Sequence, residues 1–344
     1  MASPDSHDDT LLASLSTTPL EDAIQPDLLT SALSKPPFVT LPGALNLRDV
    51  GAFAPDHVAP GKVFRSGTLD FMPAPSRPSL RSKLGVSRVY DFRRDDEVKA
   101  GRLEIDGVRV MACPYKDGAE KPLPIVVSDF APSEDGEIGE GYRKMYDDIL
   151  TGYTTGFRLV FEGLCAMEEG EAVLFHCTGK LPICICHPLF SRGFRRKISK
   201  DDTDRLSAGK DRTGVMSALI LDLMGVPAER IGLEYALTRI GTEPFREKLL
   251  PVALKSYGSA TTATPGATEG NVDKKEGQGG FDLSSPGLRE ALGTNAAVMV
   301  DFIDHLQRKY GGAQGYMMGQ LGFSEEEVGQ IRDRLKARGG EEAT

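Results

Sequence analysis

Apolar residues recur along this chain with two different periods, and the switches between them outline its architecture. Short apolar runs of strand length fall near residues 62–65, 86–92, 107–113 and 171–176, whereas the three-to-four-residue spacing of helices governs 140–167 and 212–224. Glu171 to Phe175 reads as a short buried strand. Val215, Leu219, Ile220 and Leu223 then recur at helical spacing until Gly225 and Pro227 stop the run. Tyr142, Met145, Tyr146 and Ile149 share one helical stripe, which predicts a core face and not a substrate platform. Ala296 to Tyr310 has helical periodicity, and Ser324 with Glu327 forms a capping box for a helix through Leu335.

Composition narrows the class. With 344 residues, 40% of them apolar, the chain can build one α/β domain of about 200 to 250 residues plus excursions. Residues 1–37 are expected to be disordered or loosely docked, residues 38–335 to form the domain, and 336–344 to be a disordered tail. Within the domain, 256–280 is rich in Gly, Thr and Ala and reads as a flexible excursion. Met1 to Thr10 is polar and acidic, unlike a signal peptide, and no apolar stretch approaches the roughly eighteen residues of a membrane span. A net charge of −9 argues against nucleic-acid binding. Five cysteines, an odd number, suit a reducing compartment better than a disulfide framework, so a cytoplasmic location is expected.

The chemistry emerges when one stretch is set aside. Thirty-four residues separate Cys177 from Arg212, but without the twenty-nine from Gly179 to Ser207 the chain reads His176-Cys177-Thr178-Ala208-Gly209-Lys210-Asp211-Arg212-Thr213-Gly214. Cys, five residues, Arg is the spacing of a loop that wraps its N–H groups around a phosphate at a helix N-terminus. Such donors favour a thiolate, lowering a thiol pKa of about 8.5 to roughly 3.5 to 7.5, and the thiolate can attack phosphorus to form a phosphocysteine. Arg212 closes the loop with a planar fork matched to two phosphoryl oxygens. An isolated Cys beside a strand end is ordinarily a small core residue. The joined motif, with a strand before it and a helix after it, reverses that reading.

The joined string resembles the tyrosine/serine phosphatase family whose loop has the form HCxxGKDRTG. The resemblance extends to Asn46-Leu47-Arg48-Asp49-Val50-Gly51, to Val63-Phe64-Arg65-Ser66-Gly67, to Val89-Tyr90-Asp91-Phe92-Arg93 with Glu97 after it, to Glu234-Tyr235-Ala236-Leu237-Thr238, and to the stretch from Tyr310-Gly311-Gly312 to Leu321-Gly322. It implies a cysteine-dependent phosphatase fold: a central, mostly parallel sheet flanked by helices, with a C-terminal helical extension. It also implies that Cys177 is the nucleophile and Arg212 the phosphate clamp. Thr178, Ala208, Gly209, Lys210 and Thr213 complete the substrate-binding loop, Lys210 adding positive charge. Asp211 is the first candidate for the general acid. Asp91 is the rival, at the carboxyl end of a parallel strand where ligands of open sheets bind; equally, Asp91 and Arg93 brace the loop as an ion pair. His176, Arg65, Asn46, Arg48 and Asp49 are assigned supporting roles. Neither cofactor nor metal is implied. The substrate is a phosphoprotein or a phosphoinositide, with phosphotyrosine, dual-specificity and lipid use all permitted.

Residues 179–207 look foreign to this domain. They hold seven Lys or Arg against three Asp, in a chain otherwise acidic, and two of the five cysteines. Twenty-nine codons keep the reading frame, and Gly179-Lys180-Leu181, Thr203-Asp204 and Ser207-Ala208 can encode a splice donor, branch site and acceptor. The stretch is therefore read as a retained intron. Lengthening the loop from five to thirty-four residues costs on the order of 1.7 kcal/mol of closure entropy, which a domain can bear, but it separates N–H groups that must face one anion. The competing function is a catalytically inactive phosphate-binding or adaptor protein. A metal site from Cys184, Cys186 and His187 lacks a second, distant ligand pair.

Overall fold

The computed structural model describes residues 4–98, 101–116, 125–178, 208–251 and 286–336. The first half of the chain contributes α1 (Pro4–Ser16), α2 (Pro26–Leu33), β1 (Arg48–Asp49), α3 (Val50–Phe53), β2 (Val63–Ser66), α4 (Ser79–Ser82), β3 (Val86–Asp91) and β4 (Arg109–Ala112). Then come α5 (Glu140–Gly152), α6 (Thr154–Cys165), β5 (Ala172–His176), α7 (Asp211–Leu223), α8 (Ala228–Ala236) and α9 (Thr238–Thr242). The C-terminal extension is α10 (Leu288–Leu292), α11 (Ala296–Tyr310), α12 (Gly312–Gly319) and α13 (Glu325–Leu335).

The five strands lie in the order β1-β2-β5-β3-β4, with β1 antiparallel to β2 and every other neighbour parallel. All five residues of β5 are buried, as its unbroken apolar run requires of a central parallel strand. Alternation then sorts its side chains. Val173 and Phe175 join the larger core under the helices, while Ala172 and Leu174 join a smaller one with Phe64, Leu80 and Val89. Ser66, His176 and Asp91 stand in register at the carboxyl ends of β2, β5 and β3, which makes one edge of the sheet polar. Directly after β5 and the loop, α7 runs back through the larger core, with Arg212 through Leu221 all buried.

Most expected elements appear within a residue or two, including α11 and the capping box. Two details differ. The helical run at 140–167 is broken at Tyr153 into α5 and α6. The N-terminal segment, expected to be disordered or loosely docked, is helical over α1 and α2, with Leu12 and Leu15 buried. Arg239 donates to the carbonyls of Thr18, Pro19 and Asp22, and Arg246 to those of Leu20 and Glu21. Two arginines therefore hold the backbone of the connection between α1 and α2, a signal that no local pattern in residues 1–37 carries. The stretches 179–207, 256–280 and 337–344 lie outside the described residues.

Ser324 Oγ accepts from the Glu327 N–H at 3.2 Å, and Glu327 Oε2 accepts from the Ser324 N–H at 2.7 Å. Removing the hydroxyl with Ser324→Ala should lower the unfolding free energy by about 1 kcal/mol. The measurement is the shift of the urea midpoint at constant slope.

Candidate active site

The two halves of the loop meet at the polar edge of the sheet although 179–207 separates them in sequence. Cys177 and Thr178 follow β5; Ala208, Gly209 and Lys210 lead into α7. Arg212 Nη2 donates to the Thr178 carbonyl, and Cys177 Sγ lies 4.0 Å from Thr213 Oγ1. The second half is held from behind. Asn46 Nδ2 donates to the Ala208 carbonyl at 2.7 Å, and Arg65 Nη2 reaches the carbonyls of Gly209 (2.9 Å) and Lys210 (3.2 Å) and the Thr213 hydroxyl (3.0 Å). Gly209 has φ +61°, and a Cβ there would stand 2.2 Å from the Ser66 carbonyl oxygen, so only glycine fits.

Arg65 is in turn paired with Glu234, as is Arg48, whose Nε lies 3.1 Å from Glu234 Oε1. All three side chains are buried. Burial alone would raise the Glu234 carboxyl; the Arg65 and Arg48 guanidiniums outweigh it and hold Glu234 below the usual carboxylate range. Asp49 caps α3 through the N–H groups of Gly51 and Ala52. Of the four residues expected to support the loop, Asn46 and Arg65 touch its carbonyls, Arg48 reaches Asn46 and Glu234, and Asp49 holds the start of α3.

Arg212 is engaged on both sides. Its Nη1 donates to the Phe92 carbonyl and to Glu97 Oε2, each at 2.7 Å, and its Nη2 donates to Glu97 Oε1 at 2.8 Å. Burial raises the Glu97 carboxyl, but Arg212 more than offsets this and leaves it below its ordinary value. The Cys177 thiol behaves opposite to the expectation of an acidic nucleophile. Burial pushes it up, and the Arg212 charge and the Thr213 N–H only partly compensate, because the charges of Asp211 and Glu97 oppose them.

At the end of β3, Asp91 accepts from Arg93 Nε at 2.9 Å and from Nη2 at 2.8 Å, while Arg93 Nη1 reaches Asp70 at 2.6 Å. Burial favours the neutral Asp91 acid, yet His176 and Arg93 together bring the group below the usual range. His176 Nε2 lies 3.8 Å from Asp91, and burial holds the imidazole below its ordinary value. His176 Nδ1 and Thr178 Oγ1 are buried without a hydrogen-bond partner among the described residues. Lys210 turns away from the loop: its Nζ donates to the carbonyls of Ala291 (2.8 Å) and Gly293 (3.0 Å) at the end of α10. Asp211, next to it, faces the buried phenols of Tyr146 and Tyr235.

Glu97, Glu234, Tyr146 and Tyr235 received no functional role from sequence. Glu97 and Glu234 carried a partial signal, since each is a charged residue inside a recognisable motif, but their arginine partners lie in other motifs. Among the described residues no group of three or more His, Cys, Asp or Glu could hold a metal, and no helix is long and apolar enough to cross a membrane. Cys184, Cys186 and His187 fall outside those residues.

The tyrosine phosphatase family model matches residues 39–180 and 207–337. The chain belongs to the tyrosine phosphatase family. The match passes over nearly the whole of the stretch that interrupts the loop. A tyrosine-protein phosphatase of Nostoc commune is 30% identical over 265 residues, covering 74% of this chain and 68% of that protein. The triple specificity protein phosphatase PtpB of Mycobacterium tuberculosis is 28% identical over 235 residues, covering 61% and 72%. The mostly parallel sheet flanked by helices is the phosphatase fold, and the family is one of cysteine-dependent enzymes acting on phosphorylated substrates.

Glu97 supplies the charge that balances Arg212 in a buried site. Glu97→Ala leaves that guanidinium without its carboxylate and should cost roughly 3 to 5 kcal/mol of stability. The check is the unfolding midpoint at neutral pH, where a change under about 1 kcal/mol would mean that solvent reaches Arg212.

Proposed function

We propose that this chain encodes a protein tyrosine phosphatase working through a phosphocysteine at Cys177, with phosphoserine/threonine and phosphoinositide esters as further candidate substrates. The observation that carries the reading is the convergence of Cys177, Thr213 and Arg212 at the start of α7, on the carboxyl edge of a parallel sheet. The Cys177 thiolate attacks phosphorus as the bond to the leaving oxygen breaks, and Asp211 gives that oxygen its proton. Water then attacks the phosphocysteine, returns a proton to Asp211 and releases phosphate with the thiolate. Arg212 neutralises the phosphoryl oxygens. Asp91 suits bracing better than acid work: its carboxylate already binds Arg93 through both oxygens and is held ionised. A free nucleophilic thiol also fits the reducing, cytoplasmic setting that the cysteine count suggests.

Residues 179–207 are absent from the working enzyme on this reading. Its support is the restored five-residue spacing, the family match that passes over the stretch, and the state of Arg212. Both Nη groups of Arg212 donate to protein acceptors, Phe92, Glu97 and the Thr178 carbonyl, so a two-pronged grip on phosphate, which needs at least one Nη, has to take one of these donors back. Deleting the stretch places Ala208 directly after Thr178 and returns the intervening N–H groups to one short loop.

The test compares three purified proteins on a small aryl phosphate: the full chain, the chain lacking 179–207, and that deletion carrying Cys177→Ser. Turnover is expected from the deletion alone, with none from Cys177→Ser. Alkylation of Cys177 by iodoacetamide supplies the pH dependence. In the full chain the thiol is raised, so the fast-reacting thiolate appears only above the ordinary thiol value of about 8.5; in the deletion its midpoint moves to acid pH. Equal turnover by the full chain would overturn the intron reading. Silence from a folded deletion protein would replace the enzyme with a phosphate-binding adaptor.

A further inference from the structure

The helical stripe of α5 holds an unexpected polar contact. Tyr146 is fully buried among apolar neighbours, edge-on to Phe302 at 5.4 Å, yet its hydroxyl points at the start of α7. There it lies 3.3 Å from Asp211 Oδ1 and 3.1 Å from the hydroxyl of Tyr235, which comes from α8 and is itself 3.4 Å from the same Oδ1. Lys210 Nζ stands 3.6 Å from that oxygen too. Among the described residues the hydrogen bonds to the Asp211 carboxyl and its nearest ion-pair approach all fall on Oδ1. A hydroxyl buried this deeply needs a partner, and packing alone would be served by Phe at Tyr146 of α5 and at Tyr235 of α8.

We propose that Tyr146 and Tyr235 are positioning residues for the general acid: their phenols fix Oδ1 of Asp211 in the buried wall and leave Oδ2 as the atom that carries the transferred proton. The inference rests on the acid role proposed for Asp211. The two oxygens of a carboxyl are equivalent in solution. Donors aimed at one of them make that oxygen the acceptor, and the proton resides on the other. Two helices distant in sequence thereby set the direction in which the acid points, and the hydrogen bonds tighten once the leaving oxygen is bound.

The groups facing Asp211 are Tyr146 from α5, Tyr235 from α8, Lys210 beside it in the loop, and Cys177 from the end of β5; Tyr142 faces the two phenols in turn. Burial raises both tyrosines well above their ordinary value, so they remain neutral donors throughout the working range. Losing the phenols lowers kcat, because the acid is no longer held in place.

Tyr146→Phe, Tyr235→Phe and the double variant keep the rings and delete only the hydroxyls. They are compared with Asp211→Asn on phenyl phosphate, a poor leaving group, and on p-nitrophenyl phosphate, a better one, in the full chain and in the chain lacking 179–207. Thermal unfolding of each variant shows that it is folded. Asp211→Asn should lose roughly 100-fold or more on phenyl phosphate and much less on the nitrophenyl ester. The double Phe variant should lose roughly tenfold on phenyl phosphate and less than about twofold on the nitrophenyl ester; each single variant moves the same way by less. Equal losses on both esters would overturn the positioning role while leaving Asp211 as the acid. If Asp211→Asn itself shows no leaving-group dependence, or if neither form of the chain turns over, the acid assignment falls and takes this inference with it.

Discussion

The active-site edge of this molecule depends on one buried carboxylate. Glu234 sits between Arg48 and Arg65, and all three side chains are sealed from water. Burying a charge costs several kcal/mol unless it is paired and fully hydrogen-bonded, so the three groups must keep one arrangement. Arg65 then has donors left over, and it spends them on the carbonyls of Gly209 and Lys210 and on the Thr213 hydroxyl. The position of the phosphate loop relative to the sheet is thus inherited from an ion triad linking β1, β2 and α8. Asn46, tied to Arg48 and to the Ala208 carbonyl, extends the same network by one residue.

Two further pairs, Arg212 with Glu97 and Arg93 with Asp91, repeat the device around the site. In each, a motif arginine is matched by a carboxylate that its charge holds ionised. This arrangement makes the edge rigid but also electrostatically quiet, because positive charge aimed at a phosphate is already balanced by protein. The raised Cys177 thiol is the clearest result. A phosphatase nucleophile requires uncompensated donors around its sulfur, whereas here the closest guanidinium is answered by Glu97 and the sulfur is enclosed.

Placement that follows from backbone position was legible from sequence. Spacing brings Cys177 and Arg212 to one edge, the apolar run marks β5, and Ser324 with Glu327 marks the start of α13. Residues whose role depends on where a polar tip points were not. Tyr146 occupies a helical core position, and spacing predicts its burial correctly; nothing in that spacing says that its hydroxyl meets a carboxylate sixty-five residues away. Lys210 reads as charge for the loop, but its long side chain reaches the carbonyls of α10 instead. The docking of residues 18–22 was invisible because its donors, Arg239 and Arg246, lie over two hundred residues downstream. Side-chain reach and long-range pairing set the limit.

The same separation of roles lets the fold accept the interruption, whereas the function proposed above requires a whole loop. The first half of the loop is placed by the register of β5 with β2 and β3, which ends at His176. The second half is placed by Asn46, Arg65 and the start of α7. Neither anchor uses the covalent path between Thr178 and Ala208, so a longer connection costs only closure entropy, on the order of 1.7 kcal/mol. Phosphate binding is different in kind. It needs consecutive N–H groups converging on one point, and convergence is a property of the short path itself. Stability is therefore a poor witness to whether this loop is whole; the charge state of Cys177 responds to the loop directly.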